Sequence, residues 1–139
     1  MKQMLSPPYI TQYDLDKIFV KLRNNETTIV QNPHLQSIFR LSVQPYISSW
    51  IAYSPKKEIA KLTIPTLIIH GTTDIQVAPS EAEALSKAKP NAELLIIDGM
   101  NHILKDASQD TTKNRATYAN SKLPLNTTFC EKIVQFINE

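Results

Sequence analysis

Two short apolar runs, each followed closely by a glycine, most constrain what this chain can fold into. The first occupies residues 66–70 and the second residues 93–97. Both are rich in isoleucine and leucine and do not alternate with polar residues, as is typical of strands buried on both faces of a parallel sheet. Between them, residues 80–88 predict a helix, with Ser80 and Glu83 at the two positions of a capping box. We therefore expect a strand–helix–strand unit.

The glycine count excludes several common sites. The chain has two glycines, Gly71 and Gly99. A Rossmann loop requires three glycines, and a P-loop requires two with a lysine directly after the second, so neither motif is present. The nucleophile elbow G-x-S-x-G requires two glycines four residues apart, so the sequence excludes that turn as well.

Charge and cysteine content narrow the functional classes further. Fifteen basic and 13 acidic residues give a net charge of +2, too weak to indicate nucleic acid or an anionic membrane as a partner. The one cysteine, Cys130, cannot form an internal disulfide, and we expect it to be a small buried residue. The histidines and acids show no ligand spacing, so we expect no metal. Residues 1–20 lack the order of a signal peptide, and no compartment is indicated.

The N-terminal part of the chain reads as helical. A first helix is predicted from a Thr11 cap to Leu22, with an apolar face formed by Leu15, Ile18, Phe19 and Leu22. Pro7 and Pro8 predict irregular structure over residues 1–10. Further short helices are predicted over residues 35–41, 45–52 and 54–62.

A shift in composition predicts a boundary near residues 45–54. Of the ten aromatic residues, seven precede residue 54. Four of them, Phe39, Tyr46, Trp50 and Tyr53, suit either an apolar acyl or aryl pocket or a helix face packed on the core. We expect about half of the four to pack in the core, and the pattern does not say which half.

The C-terminal end alternates between polar and apolar segments. Residues 103–125 read as a long polar excursion with no predicted helix or strand. A last helix is expected over residues 127–137, with an apolar face formed by Phe129, Ile133, Phe136 and Ile137.

The candidate chemistry lies just beyond the two predicted strands. The first strand leads into the residues GTTD, which end at Asp74, and the second into GMNH, which end at His102. Carboxyl ends of neighbouring parallel strands meet at one edge of a sheet, where α/β proteins place their ligands and catalysis. A carboxylate bonded to one imidazole nitrogen fixes the tautomer and leaves the other nitrogen free to take a proton. Asp74 and His102 are therefore the candidate acid and histidine of a catalytic triad.

These residues carry a resemblance to a known family. The stretch 64–102, IPTLIIHGTTDIQVAPSEAEALSKAKPNAELLIIDGMNH, resembles the last third of an α/β-hydrolase core, closest to the serine aminopeptidase and esterase-like members. In that family the acid follows a Gly-x-x-Asp strand end and the histidine a Gly-x-x-His strand end, in the order serine, acid, histidine. The resemblance implies a C-terminal βαβα portion of a hydrolase core at residues 54–139. It also implies a helical cap segment at residues 1–53.

The resemblance also implies that the part of the hydrolase fold that carries the nucleophile is missing from this chain. The family's nucleophile, its elbow and most of its oxyanion hole precede the acid-bearing strand, and this chain contains none of them. We expect the C-terminal fragment of a serine hydrolase, in which Asp74 and His102 act on a small ester, amide or peptide in a longer parent. No cofactor is implied, and the chain alone is expected to be inactive.

Two alternatives remain open. The chain is either a non-catalytic interaction module or half of a split hydrolase completed by a chain that carries the elbow. The strand at Thr66–His70 would lack its upstream neighbour, and an unpaired strand edge favours pairing with another chain. We therefore expect a homo-oligomer formed through that strand.

Other polar residues have simpler interpretations. His70 ends a buried strand and is expected to be packed or hydrogen-bonded, whereas His34 lies in a polar loop and is expected to be solvated. Asp98 is expected to serve the turn before His102. No serine or cysteine is expected to be the nucleophile, because none lies at a glycine-flanked turn; those considered are Ser54, Ser80, Ser121 and Cys130.

Overall fold

A computed structural model describes residues 12–139, and these residues divide between Ser54 and Pro55 into two compact units. The predicted Thr11 cap and the irregular stretch 1–10 lie outside the described residues. No helix in the described part of the chain has the length and apolarity needed to cross a bilayer.

Within residues 12–54, the N-terminal unit has three helices. They are α1 (Gln12–Arg23), α2 (Pro33–Gln36) and α3 (Gln44–Ile51). The predicted apolar face of α1 is confirmed, because Ile18 and Leu22 are buried and Leu15 and Phe19 pack beside them. The helix predicted over residues 35–41 is wrong in extent, since α2 ends at Gln36 and turns follow.

A small apolar core holds this unit together. It is formed by Ile18, Leu22, Val30, Leu35, Phe39 and Ile47. The rings of Phe19 and Phe39 meet edge to face with centroids 5.7 Å apart. Gln44, fully buried, donates through Nε2 to the carbonyls of Thr28 (2.7 Å) and Phe39 (2.6 Å), which fixes the chain between α1 and α3.

The aromatic residues around α3 are more exposed than expected. Of the four candidates, Phe39 alone is buried. The exposed fractions are 70% for Tyr46, 55% for Trp50 and 64% for Tyr53, so none of these three is a core residue. The interpretation that about half of the cluster packs in the core is therefore wrong.

The C-terminal unit is a mixture of helices and a small parallel sheet. Its elements, in order, are α4 (Pro55–Ile59), β1 (Leu67–Gly71), α5 (Pro79–Ala88), β2 (Glu93–Ile97), α6 (Thr111–Tyr118) and α7 (Thr127–Ile137). Strands β1 and β2 pair in parallel, with Leu67 opposite Glu93 and Gly71 opposite Ile97. The α/β class predicted from the sequence is thus present in its coarse form, as a strand–helix–strand unit with flanking helices.

Burial of the two strands differs from the prediction. Ile68, His70 and Gly71 are buried in β1, but Leu67 and Ile69 are only partly buried. In β2, Ile97 is buried and Ile96 keeps 37% of its surface. The expectation of strands buried on both faces is wrong here because, among the described helices, α5 supplies the main packing against the two strands and the opposite face of the sheet stays largely uncovered.

Three further expectations are corrected in this unit. Helix α5 begins at Pro79 with Ala78 at the cap position and no side-chain cap bond, so Ser80 is inside the helix and the capping box does not form. The polar segment 103–125 contains helix α6, which the sequence pattern did not predict. Cys130 is exposed, since α7 has no buried residue.

Candidate acid–histidine site

The two strand-end loops are held together by backbone hydrogen bonds. The N–H of Thr72 donates to the carbonyl of Ile97 (3.0 Å), and the N–H of Thr73 donates to the carbonyl of Met100 (3.2 Å). The first bond continues the parallel ladder one residue past Gly71, and the second joins the two loops beyond the ladder. The residues that follow, Asp74 and His102, therefore leave the same edge of the sheet.

The two glycines in these loops are required for different structural reasons. A Cβ on Gly71 would lie 1.9 Å from the carbonyl oxygen of Met100, so only glycine permits this approach of the two loops. Gly99 has φ of +72°, in the left-handed region that glycine adopts without strain. One glycine therefore permits close packing of the loops, and the other permits the turn towards His102.

The structure brings the two candidate residues into contact. Nδ1 of His102 lies 2.9 Å from Oδ2 of Asp74. The Asp74 side chain is 6% exposed and the His102 side chain 41% exposed. In this arrangement the carboxylate faces one ring nitrogen, and the imidazole remains accessible from outside the unit.

Asp74 is held as a carboxylate. Its Oδ1 accepts hydrogen bonds from the backbone N–H groups of Gln76 (2.7 Å) and Val77 (2.9 Å). Burial acts to raise the pKa of Asp74, but the bonds from Val77, Gln76 and His102 more than offset it, so the pKa lies below its usual value. The side chain is therefore ionised at neutral pH.

Asp98 has a turn role, as the sequence analysis expected. Its Oδ1 accepts a hydrogen bond from the Thr72 hydroxyl at 2.8 Å, and that hydroxyl accepts from the N–H of Gly99 at 2.9 Å. Asp98 thus connects the two loops and is separate from the Asp74–His102 pair.

Helix α6, which the sequence pattern missed, packs polar side chains against both loops. Gln76 Nε2 donates to the Tyr118 hydroxyl at 3.1 Å. The amide of Asn114 donates to the carbonyl of Thr73 at 2.8 Å. The helix begins at an Asp110 cap, whose carboxylate accepts from the N–H of Lys113. An aspartate followed three residues later by the residues KNRATY was the one local signal for this helix.

The other polar residues singled out in the sequence are not part of the Asp74–His102 pair. His34 is exposed in the N-terminal unit. His70 is buried, and its Nε2 and the Thr73 hydroxyl have no hydrogen-bond partner among residues 12–139. Ser80 and Ser121 lie exposed on the helix α5 and on a turn respectively. Within the described chain, no group of three acids, histidines or cysteines is arranged to hold a metal ion.

No protein-family model matches the chain, and no curated protein matches it significantly. The geometry of the C-terminal unit therefore carries the functional argument.

Proposed function

We propose that this chain is the C-terminal part of an α/β-hydrolase in which Asp74 and His102 are the acid and the histidine of a catalytic triad. The observation that carries the proposal is the 2.9 Å contact between His102 Nδ1 and Asp74 Oδ2 at the adjacent ends of two parallel strands. In this role the carboxylate fixes the proton on Nδ1. The second ring nitrogen, Nε2, then takes the proton of a nucleophile and later returns it to the leaving group.

The nucleophile would be supplied from outside these 139 residues. No serine here lies between glycines, so none has the exposed, strained turn of an elbow. The helical N-terminal unit would correspond to the cap of such an enzyme. The substrate class is an ester, an amide or a short peptide, because acyl transfer is the chemistry that acid, base and serine perform together.

Acylation of histidines by diethyl pyrocarbonate tests the pair in this chain. The carboxylate of Asp74 makes Nε2 of His102 the more nucleophilic nitrogen, so His102 should react faster than exposed His34. Asp74→Asn should slow the reaction at His102 and leave His34 unchanged, as measured by mass spectrometry of the separated peptides. Equal reactivity of His102 in both proteins would contradict an acid–histidine pair.

Hydrolysis of a p-nitrophenyl ester tests the absence of a nucleophile. The natural chain should hydrolyse the ester no faster than free imidazole at the same concentration, because an exposed histidine attacks activated esters slowly but a base without a serine or cysteine forms no stable acyl-enzyme. Turnover far above the imidazole rate that His102→Ala abolishes would show that a hydroxyl or thiol nucleophile lies within the chain. The hydroxyls and the thiol to substitute next are Ser54, Ser80, Ser121 and Cys130.

The source of the nucleophile separates a longer parent from a split enzyme. An open frame upstream of the Met1 codon that encodes G-x-S-x-G would support the longer parent. A co-purifying chain that carries G-x-S-x-G would support the split form. If both are absent, the interaction-module alternative gains support.

That alternative rests on the sheet edges. In the described residues β1 pairs with β2 alone, so one edge of each strand carries backbone groups without a strand partner. Such an edge favours the addition of a strand from another chain. We propose that two copies of this chain associate through β1, and this association is compatible with either function.

A further inference from the structure

Two buried asparagines lie between the loop that carries Asp74 and the loop that carries His102. Asn101, directly before His102, is 1% exposed. Asn114, on helix α6, is fully buried. Burial of an amide side chain destabilises the fold unless its N–H donors and its oxygen are hydrogen-bonded. We therefore expect each of these two side chains to make specific hydrogen bonds.

Asn114 bridges the residues that precede the acid and the histidine. Its Nδ2 donates to the backbone carbonyl of Thr73 at 2.8 Å and to that of Ser108 at 3.1 Å. Its Oδ1 accepts from Nδ2 of Asn101 at 3.1 Å. One side chain thus joins the peptide before Asp74 to the side chain before His102.

Both N–H donors and the oxygen of the Asn101 side-chain amide are hydrogen-bonded. Its second Nδ2 hydrogen goes to the Thr117 hydroxyl at 2.8 Å. Its Oδ1 accepts from the N–H groups of Ile103 (3.2 Å) and Lys105 (3.1 Å), which shapes the turn around His102. A carboxylate at either asparagine position would lose both donated bonds, so the amide chemistry is specific to the bridge.

We propose that Asn114 is a positioning residue, which sets the distance between Asp74 and His102 by tying both loops to helix α6. The inference rests on the proposed acid–histidine pair. The pair is exposed on the histidine side. Beyond the ladder, the bond from the Thr73 N–H to Met100 and the bond from the Thr72 hydroxyl to Asp98 join the two loops to each other, and the asparagine bridge adds a link from both loops to helix α6. Helix α6 then serves the site through Asn114, although none of its residues is hydrogen-bonded to the imidazole.

The test measures which nitrogen of His102 carries the proton. In the natural chain at neutral pH, the 15N resonances of the neutral imidazole should show hydrogen on Nδ1, because Asp74 accepts there. Asn114→Asp keeps the side-chain shape, removes two donors and places a carboxylate against the carbonyls of Thr73 and Ser108. We expect it to release the loops and shift His102 to a majority of the Nε2–H tautomer, which a solvated histidine side chain prefers.

A matched control separates position from charge. Asn120→Asp introduces the same charge just beyond α6, where the Asn120 side chain is exposed and accepts a bond from the N–H of Lys122 that a carboxylate preserves. The control should retain the Nδ1–H tautomer. Retention of Nδ1–H in Asn114→Asp as well would overturn the positioning role and leave the acid–histidine pair intact. An Nε2–H tautomer already in the natural chain would instead overturn the pair on which the proposed function rests.

Hydrogen exchange on the natural chain provides a second test if Asn114→Asp does not fold. The bridge requires the N–H of Thr73 and of Lys105 to exchange through the same opening that frees the amides of α6. Equal opening free energies for the three sites would support the proposal. Continued protection of Thr73 and Lys105 while α6 opens at lower free energy would overturn it.

Discussion

At the scale of single residues, the carboxylate of Asp74 links the site to the stability of its unit. The folded state binds the proton of this group less readily than the unfolded chain does, because its pKa is lowered by the bonds from Val77, Gln76 and His102 in spite of burial. A group of this kind stabilises the fold above its unfolded pKa, about 3.9 for aspartate. That contribution is lost as the pH falls through the lower, folded pKa.

The variant Asp74→Asn should therefore lose less stability in acid than the natural chain does. At pH 7 the natural chain should be the more stable of the two in urea unfolding. Between pH 5 and pH 3, about one unit either side of the unfolded aspartate pKa, the difference in free energy of unfolding should narrow. A constant difference across that range would contradict the lowered pKa of Asp74.

The two glycines should respond differently to the same substitution. Gly71→Ala places a Cβ 1.9 Å from the backbone oxygen of Met100, which cannot move without breaking its bond from Thr73. We expect a loss of at least about 2 kcal/mol, as for other overpacked sites. Gly99→Ala meets no atom within 4 Å and bears only the strain of its positive φ, about 1 kcal/mol. Urea unfolding measures both, and an equal or larger loss for Gly99→Ala would contradict the close approach of the loops.

At the scale of helices and strands, the sequence predicted those elements that have an apolar pattern. Strand β2 (Glu93–Ile97) and helix α7 (Thr127–Ile137) have the ends expected from their apolar residues. Helix α6 was missed because its residues TTKNRATY have no apolar stripe, and its attachment depends on polar bonds to residues distant in sequence. The contact of Asp74 with His102 could be anticipated from the strand ends, whereas the Asn101–Asn114 bridge could not, since no local pattern reports a buried amide pair.

The beginnings of helices α5 and α7 give a prediction about caps. Asn126 accepts from the N–H of Phe129 at 2.9 Å, and its Nδ2 donates to Asp106 at 2.6 Å. Asn126→Ala should cost about 1 to 2 kcal/mol, because a cap and a loop contact are lost together. Ser80→Ala should change stability by less than about 0.5 kcal/mol, since Ser80 lies inside α5 without a cap bond. Thermal unfolding compares the two variants. A larger loss of stability in Ser80→Ala than in Asn126→Ala would indicate that Ser80 caps α5 after all.

At the scale of the whole molecule, apolar surface remains exposed in the C-terminal unit. Exposed fractions reach 62% for Ile64, 59% for Val134 and 74% for Ile137. Helix α7 has a strong apolar face but no buried residue. An exposed apolar surface together with unpaired strand edges is typical of a unit that packs against a further chain or segment. A longer parent protein, a split enzyme and a dimer would each supply such a chain or segment, so this surface does not distinguish them.

The free edge of β1 can be identified from its ladder. The carbonyl of Thr66 accepts from the N–H of Glu93 (3.0 Å), and the N–H of Thr72 donates to the carbonyl of Ile97 (3.0 Å). Backbone groups of alternate residues face opposite edges in a parallel pair, so the N–H groups of Leu67 and Ile69 point away from β2. Leu67→Pro removes one of these donors at the first residue of the strand, where proline is tolerated.

We expect the natural chain to be a dimer by light scattering and Leu67→Pro to be a monomer, because an added strand would lose its first backbone bond and meet the proline ring. Leu67→Ala removes the same side chain but keeps the N–H, so it should remain a dimer. Loss of the dimer in Leu67→Ala as well would assign the association to side-chain packing. A monomeric mass for the natural chain at high concentration would exclude the pairing of two copies through β1.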